Sequence, residues 1–259
     1  MNSFFPSRKL GQNFTVNLSV IKRIFAFVKN LNPQAIVEIG VGKGALTNYL
    51  LKLKIPYKGI EIDKRLIEYL LVEKILTEDQ LVKGDILKKD FNSFFENLSP
   101  LLCGNIPYSI TSPIINKFLE SKLRSFVLMT QKEFANRLLA KVNSSDYSAF
   151  GAFCQYYLTI TTVFKIDRHA FKPKPKVDST LILLEKNKSV SYDFKFGLFL
   201  KQCFNQRRKM LINNLKHFFA VDYLLNIIQK QNLKTSIRAQ ELSPCQLFNL
   251  YQNICNGKN

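Results

Sequence analysis

The sequence contains no tryptophan, three methionines, two histidines and five cysteines among its 259 residues. The cysteines are odd in number, widely spaced and include no Cys-x-x-Cys pair, so neither a disulfide framework nor a zinc site is expected. They are Cys103, Cys154, Cys203, Cys245 and Cys255. The sequence therefore predicts free thiols in a reducing compartment and no bound metal.

Long apolar runs are missing as well. No stretch reaches the roughly 18 apolar residues that a membrane-spanning helix needs. The first residues, MNSFFPSRKLGQNF, lack the continuous apolar segment of a secretory signal. We expect a monomeric, cytoplasmic protein that has no membrane partner.

Acidic residues are scarce, with 19 Asp and Glu against 38 Lys and Arg, which gives a net charge of +19. Most soluble surfaces mix the two signs and stay nearer to neutrality. A polyanionic partner explains the excess better than solubility alone, because binding phosphates releases condensed counterions. Nucleic acid is favoured over membrane, since no amphipathic anchor or lipidation motif occurs.

Short β-branched segments alternate with helical patterns through the first half of the chain. Strands are predicted at 35–40, 57–63, 79–85, 100–106 and 125–131. Helices are predicted at 45–54, after the second strand and at 111–122. This alternation indicates an α/β fold, in which a parallel sheet carries helices on both faces.

Two later strands and a helical region complete the chain. The strands, at 159–166 and 179–186, flank a basic loop at 167–178 and are expected to pair antiparallel with the sheet. Helical periodicity then continues at 193–204, 209–219, 220–231 and 243–254. We predict a catalytic domain at 1–188 and a small all-helical domain at 189–259.

Polar residues and glycines fall where the predicted strands end. Gly40 and Gly42 follow the first strand, Glu61 closes the second, Asp85 the third and Asn105 the fourth. Ligands of open α/β sheets bind at these carboxyl ends. A dehydrogenase is the alternative, but the spacing is GxGxG rather than GxGxxG. The acids suit a cationic nucleoside without phosphate, and S-adenosylmethionine is such a ligand.

The segment after the fourth strand, Asn105-Ile106-Pro107-Tyr108, suits the methylation of an adenine amino group. This amine is a poor nucleophile, because its lone pair is delocalised into the ring. The Asn105 side-chain oxygen and the Ile106 carbonyl can accept its two hydrogens and turn the lone pair out of conjugation. Pro107 restricts Ile106 to extended geometry, and Tyr108 can stack on the base.

No general base is required, because the methylated amine is a strong acid that loses its proton to water. The two histidines agree with this chemistry. Neither His169 nor His217 has a recognisable acid partner in the sequence, and neither is expected to be catalytic.

Taken together, these motifs resemble the bacterial small-subunit (16S) ribosomal RNA adenine dimethyltransferases, the KsgA family. The resemblance runs nearly end to end. Its motifs, in chain order, are LGQNF (10–14), VEIGVGKGALT (37–47), IEID (60–63), GDILKKDF (84–91), GNIPYSITSP (104–113), TQKEFANRLLA (130–140), YSAFGAFCQYY (147–157), FKPKPKVDST (171–180) and FNQRRKML (204–211).

The resemblance implies a class I, Rossmann-like methyltransferase sheet and a small helical domain. It implies S-adenosylmethionine-dependent transfer of two methyl groups to each of two adjacent adenosines near the 3′ end of small-subunit rRNA, in an immature 30S particle. Cofactor contacts carry over to Asn13, Thr15, Gly40, Gly42, Glu61, Asp85, Ile86 and Asn105. Base-site roles carry over to Asn105, Ile106, Pro107, Tyr108 and Phe171, the last stacking on the other face of the base.

Three departures from the family pattern occur, in Thr15, where an aliphatic residue is usual, in Val41, where Pro is frequent, and in Ser109, where Asn is common. If Thr15 and Val41 contact the cofactor mainly through their backbones, these two departures change little. Ser109 lies beside the base site, so it leaves the fine positioning of the base open.

Basic residues in two places are expected to contact RNA phosphates. They are Lys172, Lys174 and Lys176 in the loop after Phe171, and Arg207, Arg208 and Lys209 in the helical domain. Two rival functions remain: a large-subunit rRNA adenine methyltransferase of the kind that confers macrolide resistance, and a non-catalytic RNA-binding assembly factor. Pro113 and FNQRRKML favour the small-subunit enzyme over the first. The intact NIPY segment and the acids disfavour the second.

Overall fold

The computed structural model describes residues 6–7, 10–188 and 190–255. Its strands form a seven-stranded sheet and a separate two-stranded sheet. The strands are β1 (Phe14–Thr15), β2 (Ile36–Ile39), β3 (Tyr57–Glu61), β4 (Leu81–Lys83), β5 (Leu101–Asn105), β6 (Ser125–Gln131), β7 (Leu158–Ile166), β8 (Phe171–Lys172) and β9 (Ser179–Lys186).

The large sheet has the order β4-β3-β2-β5-β6-β9-β7. Strands β2 to β6 pair in parallel, whereas β9 pairs antiparallel with β6. All four residues of β2 are buried, as expected for a central strand of a parallel sheet. The predicted α/β class is therefore confirmed, and both late strands join the sheet.

Ten α-helices occupy the described part of the chain, together with several short 3₁₀ turns. They are α1 (Leu18–Asn30), α2 (Thr47–Leu50), α3 (Lys64–Val72), α4 (Thr111–Glu120), α5 (Lys132–Leu138), α6 (Ala149–Tyr157), α7 (Phe194–Cys203), α8 (Leu211–Leu215), α9 (Val221–Lys230) and α10 (Pro244–Cys255). None is long and apolar enough to cross a membrane.

Local sequence explains where helices begin and end. The side chain of Asn17 accepts hydrogen bonds from the backbone of Ser19 and Val20 and so caps α1. The helix predicted at 45–54 is shorter: α2 passes into a 3₁₀ turn that ends at Lys54 with φ 55°. Pro56 follows soon after, and helical geometry is disfavoured for the residue that precedes a proline. The helix therefore ends before this point.

The chain divides into two compact units. The first comprises residues 1–135 and 161–186, and the second comprises residues 136–160 and 187–259. The domain boundary predicted at 188–189 lies beside the 186–187 division, and residue 189 itself is outside the described residues. The sequence analysis did not predict that helix α6 groups with the C-terminal residues.

Gly104 allows β5 to lie very close to β2. The two strands pair in parallel, with Gly104 opposite Ile39. A Cβ atom at Gly104 would lie 2.3 Å from the Ile39 carbonyl oxygen, which no real side chain tolerates. This close approach brings the next residue, Asn105, to the end of β2.

We predict that Gly104→Ala destabilises the protein, because the backbones of β2 and β5 would have to separate. The loss in the free energy of unfolding should reach the upper end of the roughly 1–3 kcal/mol typical of overpacked cores, or exceed it. Urea denaturation measures the loss. A variant as stable as the wild type would contradict the packing described here.

Candidate active site

A cavity of about 320 Å³ lies in the first unit, where β2, β3 and β5 end. In the strand order, β3 lies on one side of β2 and β5 on the other. After β2 the chain adds β3 and β4 on one side of it and then adds β5 on the other side. Ligands of α/β proteins bind where the strand order reverses in this way. The wall carries three acids and a lysine, Glu38, Glu61, Asp85 and Lys43.

The fold brings nearly all of the predicted site residues to this cavity. Its lining includes Asn13, Thr15, Gly40, Gly42, Glu61, Asp85, Ile86, Asn105, Ile106, Pro107 and Tyr108. Phe171 is not among the lining residues. Its side chain is 3% exposed and belongs to a buried cluster with Ile166, Ala170 and Leu181.

The carboxylate of Glu61 is held by backbone N–H groups. One oxygen accepts a hydrogen bond from Gly42 at 2.9 Å, and the other accepts from Ile62 and Asp63, both at 2.9 Å. Burial raises the pKa of Glu61, whereas these backbone hydrogen bonds lower it. The side chain is fixed in place, and Oε2, which accepts only the bond from Gly42 among the described residues, retains a lone pair for a further donor.

Asp85 and Ile86 also line the cavity, and Asp85 is likewise held by a backbone N–H group. One Asp85 oxygen accepts a hydrogen bond from the backbone of Leu87 at 2.9 Å and caps a short 3₁₀ turn. Ile86 is buried, while Ile62 lines the cavity and is 47% exposed. An exposed apolar side chain in a cavity wall suits a flat apolar ligand surface.

Asn105 is oriented by the N-terminal segment. Its side-chain nitrogen donates to the Asn13 carbonyl at 2.8 Å, so the amide oxygen is the end of the group that remains available as an acceptor. Gly40 has φ 73°, and a Cβ atom there would lie 3.2 Å from the Asn105 carbonyl oxygen. Glycine at position 40 therefore lets the turn after β2 approach Asn105.

The N-terminal segment is itself anchored by Gln12, which the sequence analysis missed. The Gln12 side chain donates to Asp63 at 2.9 Å and accepts from the Ser7 backbone at 2.7 Å. Arg65 and Gln12 hold the pKa of Asp63 down to about 2. Gln12 belongs to the LGQNF motif and Asp63 to the IEID motif, but only the fold shows that these two motifs are in contact.

Strands β1 and β8 form the two-stranded sheet, which was also not predicted. Phe14 lies opposite Lys172, and Thr15 lies opposite Phe171. Each strand has only two residues, too few for a recognisable pattern. The pairing ties the cavity-lining segment to the basic loop.

Tyr108 has a fixed ring. Its hydroxyl lies 2.8 Å from the hydroxyl of Ser179 in β9, and burial raises the pKa of the phenol. The residue is only partly buried and lines the cavity. An aromatic face beside Asn105 is thereby held in one orientation.

The basic loop presents its three lysines to solvent and is ordered by its own contacts. Lys172, Lys174 and Lys176 are all exposed. His169 lies 2.7 Å from Asp167 and 2.6 Å from the Lys174 nitrogen. The expectation that His169 has no acid partner is therefore wrong, although the pair is exposed and outside the cavity lining.

The three residues of the C-terminal unit that were predicted to contact RNA phosphates, Arg207, Arg208 and Lys209, differ in their surroundings. Arg207 donates to the carbonyls of Ser144 and Ser145 and to the Gln240 side chain. Its guanidinium thus holds a loop of its own unit. Arg208 and Lys209 are exposed and available to a partner.

Glu38 forms a buried cluster at the base of the cavity, which sequence analysis did not identify. One of its oxygens accepts from Tyr57 at 2.5 Å and from Thr47 at 2.8 Å. Burial raises the pKa of Glu38 to about 7. The three residues come from separate elements, so no local pattern predicts the cluster.

Among the described residues, no group of three or more His, Cys, Asp or Glu side chains could hold a metal.

We predict that Glu38 makes stability depend on pH. Its carboxyl pKa rises from 4.5 to about 7 on folding, so the folded state binds more protons in this interval. The free energy of unfolding should fall as pH rises from about 4.5 to 7, by up to roughly 3 kcal/mol. Glu38→Gln should remove most of this slope in urea titrations.

Glu68→Gln, at an exposed position of α3, is the control and should keep the wild-type slope. If Glu38→Gln kept it as well, the carboxyl would not titrate as its burial indicates.

Comparisons with known proteins agree with this architecture. The family model described as ribosomal RNA adenine dimethylase matches residues 6–255. The ribosomal RNA small subunit methyltransferase A of Mycoplasma pneumoniae is 61% identical over 254 residues, which cover 98% of this chain and 97% of the relative.

Two solved structures share the fold. A dimethyladenosine transferase from Plasmodium falciparum has a TM-score of 0.76 and 28% identity, covering 93% of this chain and 97% of that one. The 23S rRNA methyltransferase ErmE has a TM-score of 0.65 and 23% identity, covering 94% of this chain and all of that one. At this identity, the second likeness concerns the fold alone.

These matches confirm the predicted class I methyltransferase fold, the enzyme class and S-adenosylmethionine as the cofactor. The family model covers 6–255 of the 259 residues. The chain belongs to the ribosomal RNA adenine dimethylase family.

Proposed function

We propose that this protein transfers two methyl groups to each of two adjacent adenosines near the 3′ end of small-subunit rRNA, within an immature 30S particle. The observation that carries the proposal is the cavity at the end of β5, where Asn105 and Tyr108 meet the predicted cofactor residues. The relative that is 61% identical and carries the small-subunit name supports the choice of subunit. Such a substrate implies a cytoplasmic enzyme, and we propose that it acts as a monomer.

The cavity residues fit S-adenosylmethionine, which supplies the transferred methyl group when bound. The lining contains three acidic residues, Glu38, Glu61 and Asp85, and one lysine, and this acidic excess suits a cation. The free acceptor site on Glu61 Oε2 can take a hydrogen bond from a ribose hydroxyl, while Ile62 and Ile86 offer apolar surface to the adenine. Asn13, Thr15, Gly40 and Gly42 would contribute mainly through their backbones.

The target base would be held by the chain's own oxygens. The Asn105 amide is oriented by Asn13, which leaves its oxygen to accept one hydrogen of the adenine amine. The carbonyl of Ile106 accepts the other, and Pro107 limits the conformations that Ile106 can adopt. Tyr108, fixed by Ser179, stacks on the base. Catalysis would then rest on positioning and preorganised electrostatics.

Phe171 fits a stacking role only if its ring leaves the buried cluster. The side chain is 3% exposed, whereas Tyr108 already presents a ring to the cavity. Strand β8 has two residues and pairs with β1. Base stacking by Phe171 remains a prediction.

Mapping of the modified nucleotides separates the rival functions. Unmethylated small and large ribosomal subunits are incubated with the protein and tritiated S-adenosylmethionine, and modified positions are located by primer extension. Tritium shows which rRNA is methylated, and the dimethylated positions appear as stops in primer extension. We expect label in the small-subunit rRNA and stops at two adjacent adenosines. Label in the large subunit would favour the macrolide-resistance type of enzyme, and no label would favour an assembly factor.

We predict that Asn105→Ala abolishes methyl transfer, because the amine loses an acceptor held at a fixed position. The rate should fall at least roughly 100-fold, comparable to the removal of one preorganised polar group in other enzymes. Tritiated-methyl incorporation into small subunits is the measurement. Asn30→Ala, at the exposed end of α1, should behave as the wild type, and undiminished turnover by Asn105→Ala would defeat the mechanism.

The arginine pair of the C-terminal unit gives a matched comparison. Arg208→Ala should weaken binding to small subunits and lower the slope of log affinity against log salt by about one, because one phosphate contact is lost. Arg207→Ala should instead lower the unfolding temperature, since three hydrogen bonds within the unit disappear. Binding that stays unchanged in Arg208→Ala across the salt series would exclude a phosphate contact there.

A further inference from the structure

A second cavity lies in the C-terminal unit. It is an open cleft of about 430 Å³ that we call the aromatic cleft, lined by Lys216, Phe218, Phe219, Ala220 and Tyr223. The Phe218 side chain is 51% exposed, and Lys216 is exposed beside it. Transfer of a phenyl ring out of water lowers the free energy of the system. A ligand that covers the Phe218 ring would therefore bind more favourably by removing it from water.

The cleft has fixed walls. The Tyr223 hydroxyl donates to the carbonyls of Asn253 and Ile254 at 3.2 and 3.0 Å, which ties α9 to the end of α10. The backbone nitrogen of Phe218 donates to the Leu215 carbonyl at 2.9 Å. The aromatic rings are thus presented from an ordered backbone, which reduces the entropy lost on binding.

Lys216 is the cation that lines the aromatic cleft, and it lies in a stretch of sequence that is rich in positive charge. Between Asp193 and Asp222 the chain has no acidic residue and six lysines or arginines, among them Lys216. Asp222 is exposed in the first turn of α9, where it complements the helix dipole. An aromatic face with adjacent cations is the arrangement that proteins use for single-stranded nucleic acid.

We propose that the aromatic cleft binds an unpaired nucleotide of the rRNA substrate. The base stacks on Phe218, and Lys216 contacts a neighbouring phosphate. Unpaired bases are the usual target of aromatic side chains in RNA recognition. The inference rests on the proposed rRNA substrate and adds to it a contact in the C-terminal unit that takes no part in the chemistry. An apolar peptide or a second copy of the chain would gain nothing from the positive charge.

The absence of tryptophan from the sequence provides a direct test. Phe218→Trp introduces one tryptophan at the proposed stacking position, and it can be excited selectively over the ten tyrosines. We expect its emission to be quenched when unmethylated small ribosomal subunits are titrated in. Phe194→Trp is the matched control, because Phe194 is 58% exposed, lies in the same unit and is outside the cleft. Its emission should change little.

Affinity gives a second readout. Phe218→Leu should weaken binding to small subunits by roughly 5- to 150-fold, the range for loss of one stacked base. Phe218→Tyr should retain the wild-type affinity, since it keeps the aromatic face, and Phe194→Leu should be neutral. Circular dichroism establishes that each variant is folded.

The outcomes separate this inference from the proposed function. If the wild type methylates small subunits while Phe218→Trp is not quenched and Phe218→Leu binds normally, the cleft does not bind RNA and the enzymatic proposal stands. Quenching that grows with protein concentration in the absence of RNA would overturn the inference in favour of self-association. Quenching by an apolar peptide but not by small subunits would overturn it in favour of a protein partner.

Discussion

The hydrogen bond from the Asn105 side chain to the Asn13 carbonyl, 2.8 Å long, is the contact on which the active site depends. An amide can present either its oxygen or its nitrogen to a ligand, and only the oxygen can accept a hydrogen from an adenine amine. The bond to Asn13 assigns the nitrogen to the protein. We therefore propose that Asn105 meets the adenine amine as an acceptor.

Several features of the first unit serve to maintain that contact. Gly104 brings β5 against β2, and Gly40 lets the following turn approach. Gln12 fixes the N-terminal segment to Asp63, two residues beyond the acid that we propose for the ribose. The same segment pairs with the basic loop through β1 and β8. The segments that we propose for the cofactor, the reacting base and the RNA are thus all joined to residues 10–17.

Much of the fold and the site could be predicted from the sequence because the signals are local. Strand ends carry Gly40, Glu61, Asp85 and Asn105, and parallel strands bring such ends to one edge. The contacts that were missed join distant segments. Gln12 and Asp63, or Glu38 and Tyr57, are far apart in the chain, and nothing in either neighbourhood indicates its partner. Arg207 and Phe171 were predicted to contact RNA and the base, but Arg207 bonds within its own unit and Phe171 is buried. The residue type alone does not show whether a side chain is exposed or what it contacts.

The central claim is that two fixed oxygens, on the Asn105 side chain and the Ile106 backbone, hold the adenine amine. A crystal structure with an S-adenosylmethionine analogue and an adenosine-containing RNA tests this most directly. We predict that the amine nitrogen lies about 2.7–3.2 Å from both oxygens, with the base against Tyr108. An amine that points away from Asn105, or a base held elsewhere, would contradict the account.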